Sequence, residues 1–273
     1  MISKTVDIKR SDGVLYIEFP KLAAAQGVRH IFSTREGGVS PGARGSMNLS
    51  FRNGDSRENV EENYRRICKI AGIDVSHLVL TRQTHTNNVI TVGTEHRGTG
   101  YGKPEFSDVD GLITDTPGVA LVTQFADCVP LLFYDPVARV IANSHSGWRG
   151  TVQKIGAVTV RKMVNGFGSR PENIIAAIGP AICKDCYEVD TRVFLAFKEA
   201  GFNLSSIFTP KPDGEHYLLD LIKANKEILL DAGIRPENLD IADLCTAENS
   251  SLLHSHRATA GKRGNLAAII EMY

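Results

Sequence analysis

The chain has 273 residues, 42% of them hydrophobic and 23% charged, with 31 Lys plus Arg against 31 Asp plus Glu. A chain of this length and mixture folds as one large domain or two small ones, and its composition excludes a largely disordered protein. Zero formal net charge gives no general attraction to nucleic acid or anionic membrane, and no apolar run reaches the ~18 residues of a membrane span.

The amino terminus, MISKTVDIKR, has no apolar signal core. The five cysteines, Cys68, Cys128, Cys183, Cys186 and Cys245, are odd in number and scattered. Both features fit reduced thiols in a cytoplasm. In chain order, VRHIFST (28–34) reads as a strand. Asp55 and Glu58 resemble a helix-starting pair, Val60, Tyr64, Ile67 and Ala71 recur at helical spacing, and Gly72 marks the stop. The strand LVLTRQ (78–83) follows and runs into His85. NVITV (88–92) reads as the next strand. Gly93 to Asp108 carries four glycines and a proline, and reads as a long surface loop or lid. Its GTGYGK segment fails the phosphate-loop pattern, because Arg97 and Pro104 stand where glycine and a hydroxyl residue are needed.

GLITD, VALVTQ, PLLFYD and RVIANSH then read as four short strands without intervening helices. Residues 151–165 predict a weaker helix, followed by Pro171 and the strand NIIAAIGP. Leu218, Ile222, Ile228 or Leu229, and Ala232 predict a third helix that stops near Gly233, ahead of the strand LDIADLCT. Three helix–turn–strand units suggest repeated architecture, and the adjacent strands exclude a simple alternating barrel. The pattern predicts an α+β fold: one mixed-sheet α/β sandwich with outer helices over residues 1–273.

The chemistry concentrates in VTQFADCVPLLFYD and VIANSHSGWRGT. In the second, an apolar strand ends in His145 beside Gly147, Trp148, Arg149 and Gly150, a design that presents groups to a pocket. Gln83 precedes His85 by two residues and falls on the same side of the strand. Spacing alone leaves His85, Cys128 and His145 as separate residues rather than a local metal motif.

Together, RQTH (82–85), DVDGLIT, ADCVPLLFYDP, SHSGWRGT, IGPAIC and CYEVD resemble the YfiH/YlmD-type family, relatives of laccase domain-containing proteins. The likeness runs from FSTREGGVS and MNLS to GNLAAII. It implies an α/β sandwich and a metal-dependent activity on purine nucleosides: phosphorolysis of adenosine, guanosine, inosine and methylthioadenosine, with adenosine deamination. It also implies that His85, Cys128 and His145 ligate zinc, with copper as the alternative metal. Two imidazoles and a thiolate leave a fourth position open for water or substrate. Asp127 and Gln83 stand beside them to orient ligands or water, or to move protons. Arg149 is the expected phosphate partner, because a guanidinium makes a fork of hydrogen bonds, and Arg35, Asn48 and Arg257 are further expected substrate contacts.

The segment LLHSHRATAGKRGN departs from the family pattern after Arg257. Cys183 and Cys186 form a C-x-x-C, a pattern open to a redox or zinc role, but the lack of a matching second pair and their position among variable family residues favour a structural reading over either. Expected partners are purine nucleosides and phosphate, with neither nucleic acid nor membrane, and a monomer suffices because all motifs lie in one chain. Three other readings follow from the same residues. A multicopper polyphenol oxidase is one, poorly supplied by eight histidines and the single His254–Ser255–His256 pair. A metal-free amidase or hydrolase acting on peptidoglycan precursors, with Cys128 as nucleophile and His145 as base, is the second. A non-enzymatic binding module is the third. The zinc nucleobase-deaminase signature is absent, so deamination would need a different constellation.

Overall fold

A computed structural model describes residues 3–273. In chain order, its strands and helices begin with the hairpin β1 (Asp7–Ser11) and β2 (Val14–Glu18), then α1 (Pro20–Ala24) and β3 (Val28–Ser33). Next come α2 (Arg57–Ala71), β4 (Leu78–Arg82), β5 (Val89–Thr91), β6 (Phe106–Ser107), β7 (Gly111–Thr114) and β8 (Ala120–Phe125). The middle of the chain holds β9 (Val129–Asp135), β10 (Val140–Ser146), α3 (Trp148–Val152), α4 (Ile155–Phe167) and β11 (Ile175–Ile178). The last third holds β12 (Glu188–Asp190), α5 (Thr191–Glu199), α6 (Leu204–Ile207), β13 (Phe208–Pro210), β14 (His216–Leu219), α7 (Leu221–Asp231), β15 (Leu239–Ile241) and β16 (Leu266–Met272).

Two mixed sheets form the centre. One runs β1-β2-β3-β16-β8-β4-β6 and the other β15-β11-β9-β10-β7-β5, while β12-β14-β13 form a small third sheet. Side-chain alternation builds the layers, since successive residues of a strand point to opposite faces. On β9, Leu132 and Tyr134 face the space between the sheets, and Val129, Leu131 and Phe133 face the helices. On β16, Leu266, Ala268 and Ile270 enter the inter-sheet core, and Ala267 and Ile269 face α2. The helix α2 covers the first sheet through Val60, Tyr64, Ile67 and Cys68, and α4 and α7 cover the second through Ile155, Met163 and Leu229. The result is the expected mixed-sheet sandwich with outer helices, stacked helix–sheet–sheet–helix.

The three helix–turn–strand units recur in space. Each helix meets a glycine of positive φ (Gly72, Gly168, Gly233), then a single 3₁₀ turn (Val75–His77, Pro171–Asn173, Pro236–Asn238), then a strand. The resulting strands β4, β11 and β15 all make parallel pairs.

Several details differ from the sequence expectation. The α2 cap is Ser56, whose side chain accepts the Asn59 N–H; Asp55 instead accepts from the Ser56 N–H and the Asn48 amide. Residues 151–165 are two helices, because Lys154 adopts φ 56° and breaks the run. Leu218 belongs to β14, and Asp220 caps α7 by accepting from the Lys223 N–H. The strand predicted at LDIADLCT covers only Leu239–Ile241. The 93–108 loop is pinned to β4 by backbone bonds, Gly98 N–H to Leu78 O at 2.8 Å and Leu80 N–H to Thr99 O at 2.9 Å. Among the described residues, no helix is long and apolar enough to cross a membrane.

Candidate metal centre and active site

The chain crosses from the first sheet to the second through Ala126–Cys128, the three residues between β8 and β9. Asp127 turns this corner with φ 91°. Antiparallel pairing of β9 with β10 sets Val129 opposite Ser146 and Pro130 opposite His145, so Cys128 emerges beside Gly147. His85 arrives from the other sheet, three residues past the end of β4 and with φ 67°. The donor atoms of His85, Cys128 and His145 thereby come within 4.8 Å of one another. Cys128 Sγ lies 3.8 Å from His85 Nε2, and the two imidazole rings meet nearly edge-on at 4.9 Å.

Gly147 is part of this geometry. A Cβ there would stand 2.6 Å from His85 Cδ2 and 3.1 Å from Cys128 Sγ, so only glycine leaves room for both donors.

Asp110 organises the cluster and was not singled out from the sequence. It is fully buried. One carboxylate oxygen accepts the His85 N–H at 3.0 Å and faces His145 Nδ1 at 2.8 Å; the other accepts from the N–H groups of Thr84 and Thr86. Its backbone oxygen accepts the His145 N–H. One carboxylate thus fixes the His85 loop and the His145 ring, leaving His145 Nε2 to face the cluster. Burial alone would raise the Asp110 pKa, but the bonds from His145, Thr86 and Thr84 hold it below the usual carboxylate range. Burial would likewise raise the Cys128 pKa, and the charge and hydrogen bonds of His145 and His85 overrule it toward the thiolate. The donor set therefore suits a thiophilic, imidazole-binding ion: three converging ligands, one favouring its anionic form, with a carboxylate behind one imidazole.

These ligands form the floor of a cavity of about 470 Å³, within the range of small-molecule sites. Gln83, Asp127, Arg149 and Arg257 also line it. Gln83 spends its amide on the Gln124 backbone, donating to O at 2.8 Å and accepting from N–H at 2.7 Å. Asp127 accepts the Thr246 hydroxyl on one oxygen and the Arg257 N–H on the other, which anchors the 254–263 segment to the cavity wall. The Arg257 guanidinium donates to the carbonyls of Cys186 and Glu188. Arg149 stands exposed over the Trp148 ring, at 4.3 Å from its centroid, with no hydrogen bond or ion pair from its guanidinium among the described residues.

Arg35 and Asn48 are not brought into the cavity lining. The Arg35 side chain donates to the Gly45 and Ser250 carbonyls, and Asn48 is a buried hub bonded to Ser50, Asn53, Asp55 and Asn265. Arg52 and Arg263 line the cavity with Arg149 and Arg257, so four arginines stand against Asp127, the one carboxylate among the lining residues. Tyr187 and Trp148 add aromatic faces. Burial pushes the Tyr187 phenol pKa up, so it carries its proton at neutral pH.

The histidines of His254–Ser255–His256 do not share a site: His254 is buried, whereas His256 lines the cavity. Cys183 and Cys186 acquire a third sulfur, that of Cys245, with the Glu248 carboxylate beside it.

Residues 29–273 match the family model described as multi-copper polyphenol oxidoreductase laccase. The chain is 37% identical over 245 residues to a protein of Bacillus subtilis (strain 168) named purine nucleoside phosphorylase YlmD, covering 88% of this chain and 87% of that protein. It is 35% identical to adenosine deaminase RL5 from an unknown prokaryotic organism, covering 88% and 94%. Among solved structures, YlmD from Geobacillus stearothermophilus superposes with a TM-score of 0.90 at 32% identity, covering 97% of this chain and 98% of that one.

Proposed function

The chain belongs to the YfiH/YlmD-type family, that of the multi-copper polyphenol oxidoreductase laccase model, and from that premise we propose that it is a zinc-dependent purine nucleoside phosphorylase with adenosine deaminase activity. The observation that carries this reading is one cavity in a chain of zero net charge, with three convergent metal donors at its floor and four arginines on its walls. Such a cavity matches a dianionic phosphate and a neutral nucleoside better than a phenol.

In phosphorolysis, a phosphate oxygen bonds to the ribose C1′ as the glycosidic bond breaks. The bonding electrons leave with the purine, which takes up a proton, and the products are free base and ribose 1-phosphate. Arg149 makes no guanidinium hydrogen bond or ion pair among the described residues and so offers its donors to phosphate, whereas Arg257 is held on two carbonyls and shapes the wall. Trp148 and Tyr187 offer faces to the purine, and Tyr187 Oη holds a proton within the cavity. His85, Cys128 and His145 would hold the zinc, which would supply Lewis acidity when bound. In deamination, water displaces the amine of adenosine to give inosine and ammonia. Asp127, which lines the cavity, is the candidate proton carrier for that step. All the residues assigned to the site lie in one chain, which supports a monomeric catalytic unit.

Arg149→Ala tests the assignment. With adenosine and phosphate, it should raise the KM for phosphate and lower phosphorolysis at least tenfold while zinc content stays at the wild-type level, because it removes a charge partner and no ligand. Unchanged phosphate kinetics would exclude Arg149 as the phosphate partner.

A further inference from the structure

Outside the cavity, the segment between β11 and β12 and the segment after β15 meet behind the wall that carries Tyr187. A parallel bridge pairs Ala181 with Cys245, and Thr246 N–H donates to Ala181 O at 3.1 Å. This pairing sets Cys245 against a single 3₁₀ turn, Lys184–Cys186, closed by Cys186 N–H on Cys183 O. The donor atoms of Cys183, Cys186, Cys245 and Glu248 all lie within 4.8 Å of one another. The Cys183 backbone N–H points at Cys245 Sγ, at 3.2 Å.

We propose that Cys183, Cys186, Cys245 and Glu248 form a second, closed zinc site whose role is structural. Three sulfurs and one carboxylate oxygen satisfy a tetrahedral ion without a vacant position, which distinguishes a structural centre from the three-donor cluster at the cavity floor. Thiolates select zinc over magnesium, calcium or manganese. Each thiol gives its proton to solvent as it ligates, so the bound ion joins two segments distant in sequence and adds binding free energy to the folded state. Its position bears on the cavity, because Ile182 and Tyr187 flank the cysteines and line the cavity, and Cys186 O accepts from Arg257. The site does not depend on which substrate the cavity takes.

The test is metal stoichiometry on the full-length, fully reduced chain loaded with zinc and desalted. Wild type should carry two zinc ions per chain. Cys128→Ala should keep one, Cys183→Ser/Cys186→Ser should keep one, and the triple variant none. Cobalt(II) added to zinc-free Cys128→Ala should give a thiolate charge-transfer band, because all thiolate ligation then comes from the second site. Glu248→Gln should retain its zinc but lose it faster to a chelator; equal retention would remove Glu248 as fourth ligand. A wild-type protein with one zinc, lost entirely in Cys128→Ala, would overturn the proposal. So would a cobalt spectrum of Cys128→Ala without a thiolate band, or a Cys183–Cys186 disulfide in peptide mass analysis of the purified protein.

Discussion

Gly147 and Asp110 show how narrowly the cluster depends on residues that donate nothing to a metal. A methyl group at 147 would contact both His85 and Cys128. Gly147→Ala should therefore lose metal at the cavity floor and most activity while the far-UV circular dichroism keeps its wild-type shape; a variant with full metal content would refute the packing argument. Asp110→Asn retains the shape but not the charge behind His145 and the His85 loop. Metal affinity should fall about 10- to 100-fold, measured by competition with a chromophoric chelator. His85, Cys128 and His145 were legible as a set only through the family resemblance, because their spacing alone leaves them separate until the fold brings their donor atoms together. Arg52 and Arg263 were not, since an isolated arginine carries no signal until the fold aims it. Asp110 lies in DVDGLIT, yet the partners of its carboxylate, the Thr84, His85 and Thr86 N–H groups and the His145 ring, come from segments that the β5–β7 and β7–β10 pairings bring together.

At the scale of elements, α2 and the strands β4, β8, β9 and β10 were legible because apolar periodicity follows burial, whereas the buried strand β16 and the helix α5 were not read from the sequence. The β1–β2 hairpin carries no such signal. Four of the five residues of β1 are exposed, so no alternating apolar pattern marks it, and only the Asp12–Gly13 turn with positive φ gives it away. The Lys154 break was likewise invisible, because a lysine in the left-handed region looks like any other helical lysine. The Ser56 cap has a simple consequence. Ser56→Ala leaves the Asn59 N–H without its acceptor and should destabilise the protein by about 1 kcal/mol in urea unfolding; no loss would mean that Asp55 compensates.

For the whole molecule, pH stability is set partly by histidines sealed in the sandwich. His30 is buried and its Nε2 accepts the Phe19 N–H at 2.8 Å. Burial lowers its pKa from 6.5 to about 3. The folded state keeps it neutral while the unfolded chain takes up a proton below 6.5. Its stabilising contribution is thus intact above 6.5 and lost as pH falls toward 3. Between pH 7 and pH 5 this costs about 2 kcal/mol. Urea unfolding of His30→Gln at the two pH values should show a correspondingly smaller difference than wild type, whatever its absolute stability; an equal difference would assign the pH dependence to other groups.

What the cavity at the end of the two sheets does is tested most directly by the phosphate dependence of its reaction. Wild-type enzyme of verified zinc content is incubated with adenosine, with and without phosphate, and all products are quantified. With phosphate, adenine and ribose 1-phosphate should appear in equal amounts alongside some inosine. Without it, adenine release should stop while inosine formation continues. Adenine release at the same rate in both buffers, accompanied by free ribose, would contradict phosphorolysis, and the absence of every product would contradict the nucleoside reading itself.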